Sequence, residues 1–358
     1  MEASVVSGPV AEGVGDAAMM RKESFFRKRF LMKHGYALFF SLALTALTGF
    51  VLLDTFVLPH AVTTVVTTAT ASGQETETSQ SQTQTSTSTT ATVANTTNST
   101  AQTAEQSEST SSDVIVTDSA YSGNGISIVI TTVRTSNTNA YVADVQLTSA
   151  DSLKTALAQN TFGSNITQTT SEMAAANNAI LAINGDYYGA NKRGYVIKNG
   201  VLYRDTVRQG EDTQDLAIYA DGSFAIIDET EVTAQELLDS GVVQLFAFGP
   251  ALIENGEIQV SSSDEVSRAK STNPRTAIGI IDDLHYIIVV ADGRTDESEG
   301  LSLLELAKLM ESYGCVTAYN LDGGGSSTMV FNGVVVNQPT TSGNTISERS
   351  VSDIVYIA

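Results

Sequence analysis

Residues 316–331 read VTAYNLDGGGSSTMVF, and the rest of the chain is organised around them. An apolar run of strand type ends at Asn320, Leu321 and Asp322 and breaks into Gly323, Gly324 and Gly325; Ser326 and Ser327 follow before apolar residues resume. Consecutive glycines are costly in conformational entropy, so they belong where the backbone needs positive φ or approaches another group closely. A carboxylate, backbone N–H groups and two hydroxyls therefore meet where a core strand emerges, which is the pattern of an active-site loop.

Two further strand ends upstream deliver an aspartate beside glycine. AILAINGDYYG places Asn184, Asp186, Tyr187 and Tyr188 after a short apolar strand, and RTAIGIIDDLHYIIVVADGR is an apolar hairpin that starts at Arg275 and ends at Asp292-Gly293-Arg294. If its strands pair as the pattern implies, Arg275 and Arg294 lie at one end of the sheet. GISIVITTVR from Gly125 and AYVADVQL from Ala140 form another hairpin. Helices are expected over 149–159, 171–179 with Ser171 as N-cap, 233–240, and 303–312 behind the Ser302–Glu305 capping box. The expected fold class is α+β: a mixed, largely antiparallel β-sheet core with a few packed helices over residues 113–358. Residues 261–273 have no periodicity and read as a mobile loop able to cover a site.

The N-terminal third has a different character. Residues 1–34 form a basic cytoplasmic tail whose charge lies in Arg21, Lys22, Arg27, Lys28, Arg29 and Lys33. Gly35 to Leu53 is uncharged and would span about 29 Å as a helix at 1.5 Å per residue. A single transmembrane signal-anchor over 35–58 is therefore expected, with the N-terminus cytoplasmic and the domain extracellular at the cell membrane. Ala69-Thr70-Ala71 resembles a cleavage site, but it lies well beyond the apolar run. Residues 61–112, dominated by Thr, Ser, Ala and Gln, read as a disordered tether.

Composition narrows the chemistry. With 19 Lys and Arg against 40 Asp and Glu, a net charge of −21 argues against a nucleic-acid partner. The single cysteine, Cys315, precludes an internal disulfide and reads as a small buried residue. Of three histidines only His285 belongs to the domain, at a strand start, so neither a multi-histidine zinc site nor a triad is indicated. No cofactor is predicted; clustered aspartates permit a hard cation such as Ca²⁺, but EF-hand spacing is missing. Oligomeric state is not legible.

The ordered set NPRTAIGI from Asn273, DGR from Asp292, GLSLLELAKLM from Gly300, NLDGGGSSTM from Asn320 and INGDYY from Ile183 resembles the phosphodiester glycosidase family. That resemblance implies hydrolysis of the bond between a sugar anomeric carbon and a phosphodiester oxygen, in a glycan or cell-envelope polymer. A noncatalytic surface module that binds glycans in exopolysaccharide or envelope organisation is the alternative. The leaving phosphomonoester has a second pKa of about 6 and needs little protonation. Cations are then expected near the phosphate, and one or two carboxylates near the sugar.

Asp322, Asp186 and Asp292 are the candidate catalytic residues, with roles unassigned; Asp292 equally suits a Gly-turn cap. Arg275 and Arg294 are candidate phosphate ligands, or else partners of Asp292 or Asp186. Asn184 and Asn320 suit sugar hydroxyls or a structural turn. Gly323, Gly324, Gly325, Ser326 and Ser327 complete the expected anion cradle.

Overall fold

The computed structural model describes residues 39–55, 57–61, 114–210, 213–264, 272–342 and 345–358. The expected basic tail, the tether and the centre of the covering loop lie outside them. The chain divides into two units, residues 1–59 and 60–358. In the first, residues 39–55 are helical. Where a single transmembrane helix over 35–58 was expected, the described residues hold a helix at 39–55, and among them no helix is long and apolar enough to cross a membrane; residues 35–38 and 56 of that span lie outside the described ones.

The second unit corrects the expected fold class as well: it is mostly β rather than α+β. Its strands of interest are β1 (Ile126–Thr135), β2 (Thr138–Leu147), β3 (Leu153–Leu157), β4 (Leu181–Asn184), β5 (Val196–Lys198), β6 (Gln214–Tyr219), β7 (Phe224–Asp228), β8 (Val242–Phe246), β9 (Ala251–Glu254), β10 (Arg275–Asp282), β11 (His285–Ala291), β12 (Thr317–Asn320), β13 (Met329–Phe331) and β14 (Asp353–Ile357). The helices are short: α1 (Thr170–Ala176), α2 (Ala234–Asp239) and α3 (Leu303–Ser312). Residues 149–159, expected to be helical, instead make a 3₁₀ turn (Ala150–Ser152), strand β3 and the start of a second 3₁₀ turn (Ala158–Asn160). Five residues of that segment pair with β14, so tertiary pairing overrides a local pattern that also suits a helix. Helix α1 begins one residue earlier than expected, capped by Thr169 with Glu172 closing the box.

A nine-stranded antiparallel sheet carries the central order β9-β12-β10-β11-β2-β1, and a five-stranded sheet carries β13-β4-β14-β3. Because side chains alternate along a strand, β11 serves two cores. Tyr286, Ile288 and Val290 face Leu181, Ile183, Met329, Phe331 and Val355 of the five-stranded sheet. Ile287, Val289 and Ala291 face Leu303, Leu306, Ala307 and Met310 of α3. Burial on both faces explains the unbroken apolar run. Gly279 in β10 permits the close approach of α3: a Cβ there would lie 2.8 Å from Met310 Cε and 2.9 Å from Cys315 Sγ. Cys315 is buried as expected, and desolvation pushes its thiol up to about 12.

The hairpin β10–β11 pairs Arg275 with Ala291, and β12 joins β10 with Asn320 opposite Ala277. The C-terminal end of β12 therefore lies beside the start of β10. On the other sheet, β4 lies between β13 and β14. The ends of β4 and β12 are where the site is built.

Truncation of Ile288 to Ala should cost about 2–5 kcal/mol, since it removes a buried branched side chain from the inter-sheet core. Chemical denaturation of the full chain checks this; a change under about 0.5 kcal/mol, typical of surface positions, would show that the inter-sheet core is misplaced.

Candidate active site

Asn184 ends β4 fully buried. Its Nδ2 donates to the Asp322 carbonyl oxygen at 2.6 Å and to the Gly185 carbonyl at 3.3 Å. Its Oδ1 accepts from Thr276 Oγ1 at 2.8 Å and from the Thr328 N–H at 3.2 Å. The Asp322 N–H donates in turn to the Gly185 carbonyl at 3.3 Å. One side chain thus stitches the ends of both sheets together beneath Asp322. Asn320 is buried as well and donates to the Gly249 carbonyl at 2.7 Å. Both asparagines bond to backbone.

Asp322 reaches the surface of a cleft of about 290 Å³, together with Tyr187, Ser326, Arg349, Asn165 and Thr167. Its Oδ2 accepts from Ser326 Oγ at 2.6 Å and from Arg349 Nη2 at 3.2 Å. Arg349 Nε donates to Ser326 Oγ at 2.9 Å, Nη2 bonds to the same hydroxyl, and Nη2 also reaches the Gly323 carbonyl at 3.4 Å. Desolvation raises the Asp322 carboxyl above its ordinary range; the Arg349 charge, the Ser326 hydroxyl and the Gly323 N–H oppose that rise. Across the cleft Tyr187 is partly exposed and packs edge-on to Phe248 at 4.9 Å between centroids. Such a ring offers an apolar face with a polar tip.

The other sequence-selected residues sit elsewhere. Asp186 is buried below the cleft, where its Oδ1 accepts from the Tyr188 N–H at 2.9 Å and its Oδ2 from the Ala247 N–H at 3.2 Å. Lys198 Nζ lies 3.3 Å from Asp186 Oδ2 and 2.8 Å from Asp353 Oδ2, over the Phe246 ring at 3.8 Å. All three charged side chains are almost completely buried. Gly185 is glycine because a Cβ would sit 2.5 Å from Asp353 Oδ1. Burial pushes the Asp353 carboxyl up to about 7, against the pull of Lys198.

Asp292 is buried too, accepting from Tyr141 Oη at 3.3 Å, Asn337 Nδ2 at 3.3 Å and the Gln338 N–H at 2.8 Å. It fastens the 337–338 segment and does not line the cleft. Arg275 is buried and donates through Nε to the Leu301 carbonyl at 2.9 Å. Arg294 is exposed, has a φ of 64°, and donates to Asn273 Oδ1 at 3.1 Å and to the Thr340 carbonyl at 3.4 Å. Partial desolvation, and secondarily the Arg349 charge, lower its pKa.

The glycine run is tight for internal reasons. A Cβ on Gly323 would lie 2.9 Å from the Pro274 carbonyl oxygen, and one on Gly324, at φ 61°, 2.7 Å from Arg294 Nη2. The N–H groups of Gly324, Ser326 and Ser327 donate to the Pro274, Gly323 and Gly324 carbonyls. Ser327 Oγ is buried without a partner among the described residues. The positive charge of the cleft therefore comes from Arg349 rather than from loop amides. Among the described residues no cluster of three or more His, Cys, Asp or Glu is placed to hold a metal ion.

Sequence reasoning missed Arg349, Lys198 and Asp353. Arg349 had a signal: it is the only basic residue after Lys308. Lys198, inside a Lys-Asn-Gly turn, and Asp353, ahead of the last strand, look like ordinary surface residues, and only the pairing of β14 with β4 brings the strand carrying Asp353 to Gly185.

The phosphodiester glycosidase family model matches residues 177–358, which include every cleft residue above except Asn165 and Thr167. The chain belongs to the phosphodiester glycosidase family. It is 30% identical over 239 residues to the SPbeta prophage-derived uncharacterized protein YomE of Bacillus subtilis, covering 65% of this chain and 36% of that protein. It is 32% identical over 188 residues to the N-acetylglucosamine-1-phosphodiester alpha-N-acetylglucosaminidase of Homo sapiens, covering 48% of this chain and 36% of the human protein. The matches thus span little more than a third of either curated relative. In fold, the chain is similar to the catalytic domain of the zebrafish N-acetylglucosamine-1-phosphodiester alpha-N-acetylglucosaminidase, with a TM-score of 0.51 and 22% identity over 65% of this chain and 82% of that one.

Lys198→Met would leave two buried carboxylates without a cation and should cost about 3–5 kcal/mol. The Asp353 shift adds a pH signature. Its folded pKa lies above the unfolded value, so the folded state binds more protons between about pH 4 and 7 and stability falls as pH rises through that window. Urea unfolding of the full chain at pH 5 and pH 8 checks both statements: Asp353→Asn should flatten the slope, and an unchanged slope would contradict this origin.

Proposed function

We propose that this domain hydrolyses a sugar-1-phosphodiester by cleaving the bond between the anomeric carbon and the phosphodiester oxygen. The observation that carries this reading is the Asp322–Arg349 pair at the mouth of the cleft in a phosphodiester glycosidase domain. The phosphate is placed on Arg349, with Arg294 adding positive potential from nearby. The sugar is placed toward Tyr187, with its anomeric carbon facing Asp322.

In this scheme the Asp322 carboxylate takes a proton from water as the water oxygen bonds to the anomeric carbon. The electron pair of the breaking C–O bond passes to the phosphate oxygen, whose charge rises from about −1 toward −2. Arg349 gains attraction as that charge grows, so it favours the transition state over the ground state. No acid need protonate a leaving group of this kind. Asp186 and Asp292 act in this reading from below, as fixed supports for the loop and strand ends. The substrate class is a glycan or envelope polymer outside the cytoplasm; for that location the support is the sequence alone, in the Ser/Thr-rich character of residues 61–112.

Asp322→Asn should lower kcat about 10²–10⁴-fold if the carboxylate is the general base. Arg349→Gln should raise KM for the diester. Because it removes the charge that favours ionised Asp322, it should also move the acid limb of the rate profile to higher pH. Release of free sugar from a panel of UDP-sugars by the full chain, followed across pH, measures both. Asp322→Asn activity equal to wild type would sink the assignment, and no free sugar from any member would favour a glycan-binding module.

A further inference from the structure

Residues 347–350 have no regular secondary structure, yet Arg349 makes several directed bonds. Something other than strand pairing must hold this segment. Val351 and Gln168 exchange backbone hydrogen bonds at 2.8 and 3.0 Å on one side of it, and the Ser347 N–H donates to the Pro339 carbonyl at 2.8 Å on the other. Between them Glu348 reaches away from the cleft. Its Oε1 accepts from the Ser171 N–H at 3.0 Å and its Oε2 accepts from Ser171 Oγ.

Ser171 is the second residue of α1, and an N–H there has no partner within the helix. Thr169 and Glu172 satisfy each other's backbone in the capping box, so the Ser171 amide is left for an outside acceptor. A carboxylate at a helix N-terminus is also favoured by the helix dipole. The acid next to Arg349 in sequence is thereby engaged elsewhere, and the guanidinium is left to Asp322 and Ser326. Glu348 bonds α1 while Arg349 enters the cleft.

We propose that Glu348 is a positioning residue: its clamp on Ser171 fixes the 347–350 segment so that Arg349 is held in the cleft where it meets the substrate phosphate. The role of Arg349 rests on the function proposed above. Holding the segment in advance removes part of the ordering entropy that binding would otherwise cost. Loosening the clamp should weaken anion binding while leaving the chemistry at Asp322 largely intact.

The test uses the full chain, inorganic phosphate as a calorimetric probe, and a UDP-sugar that the wild type hydrolyses. Glu348→Ala should weaken phosphate binding and raise KM for the UDP-sugar by about tenfold, with kcat within about threefold, the equivalent of about 1.4 kcal/mol in binding. Ser171→Ala removes only the hydroxyl bond to Glu348, a milder change that keeps the test open if Glu348→Ala fails to fold, and it should act in the same direction to a smaller extent. In an Arg349→Gln background Glu348→Ala should add nothing, because both changes remove one interaction. Additive effects, or unchanged phosphate affinity with either variant folded, would overturn the clamp. The phosphate arm needs no turnover, so it decides the clamp even if no diester is hydrolysed, an outcome that would count against the proposed reaction alone.

Discussion

The site depends on one constraint: two sheets that differ in strand number must end at the same place. Asn184 enforces this. Its amide group is fully buried, and a buried polar group left unpaired costs about 1–3 kcal/mol. It meets four partners drawn from the turn after β4, from β10, from the start of the glycine loop and from the residue that precedes β13. Only one relative placement of the two sheets satisfies all four. That placement fixes the Asp322 backbone, and with it the carboxylate.

Beneath this seam lies an unusual concentration of charge. Lys198 is shared by Asp186 and Asp353, so two buried carboxylates meet one ammonium group. Such a cluster is weak evidence for stability in itself, because desolvation offsets the attraction. Its value here is directional: Lys198 ties β5 to the start of β14 and to the turn after β4. The cleft above is lined by residues that immediately neighbour those anchors in sequence, namely Tyr187 beside Asp186 and Ser352 beside Asp353. The buried charges are therefore a foundation for the cleft, and the proposed reaction is assigned to the Asp322–Arg349 pair that lines it.

Much of the sheet was legible in the sequence. The 275–291 hairpin, the 126–147 hairpin and helix α3 each follow from period-two or period-3.6 patterning with clear caps and turns. Residues 149–159 were not, because Leu153 to Leu157 satisfies either period and only the partner strand β14 chooses. Asp322 could be found locally, since strand, aspartate and glycine are contiguous. Its partner Arg349 is 27 residues away on a segment without periodicity, and no local rule joins them. The glycines illustrate a subtler failure. Their spacing suggested an anion cradle, but the neighbours that crowd the first two, Gly323 and Gly324, are Pro274 and Arg294 of the protein itself.

Cleavage at carbon rather than phosphorus is the central chemical claim, and isotope placement tests it most directly. Hydrolysis of a sugar-1-phosphodiester by the full chain in ¹⁸O-water, followed by mass spectrometry of both products, reports which atom water attacks. Attack at carbon puts the label on the anomeric oxygen of the free sugar and leaves the phosphomonoester unlabelled. Label in the phosphate would contradict it.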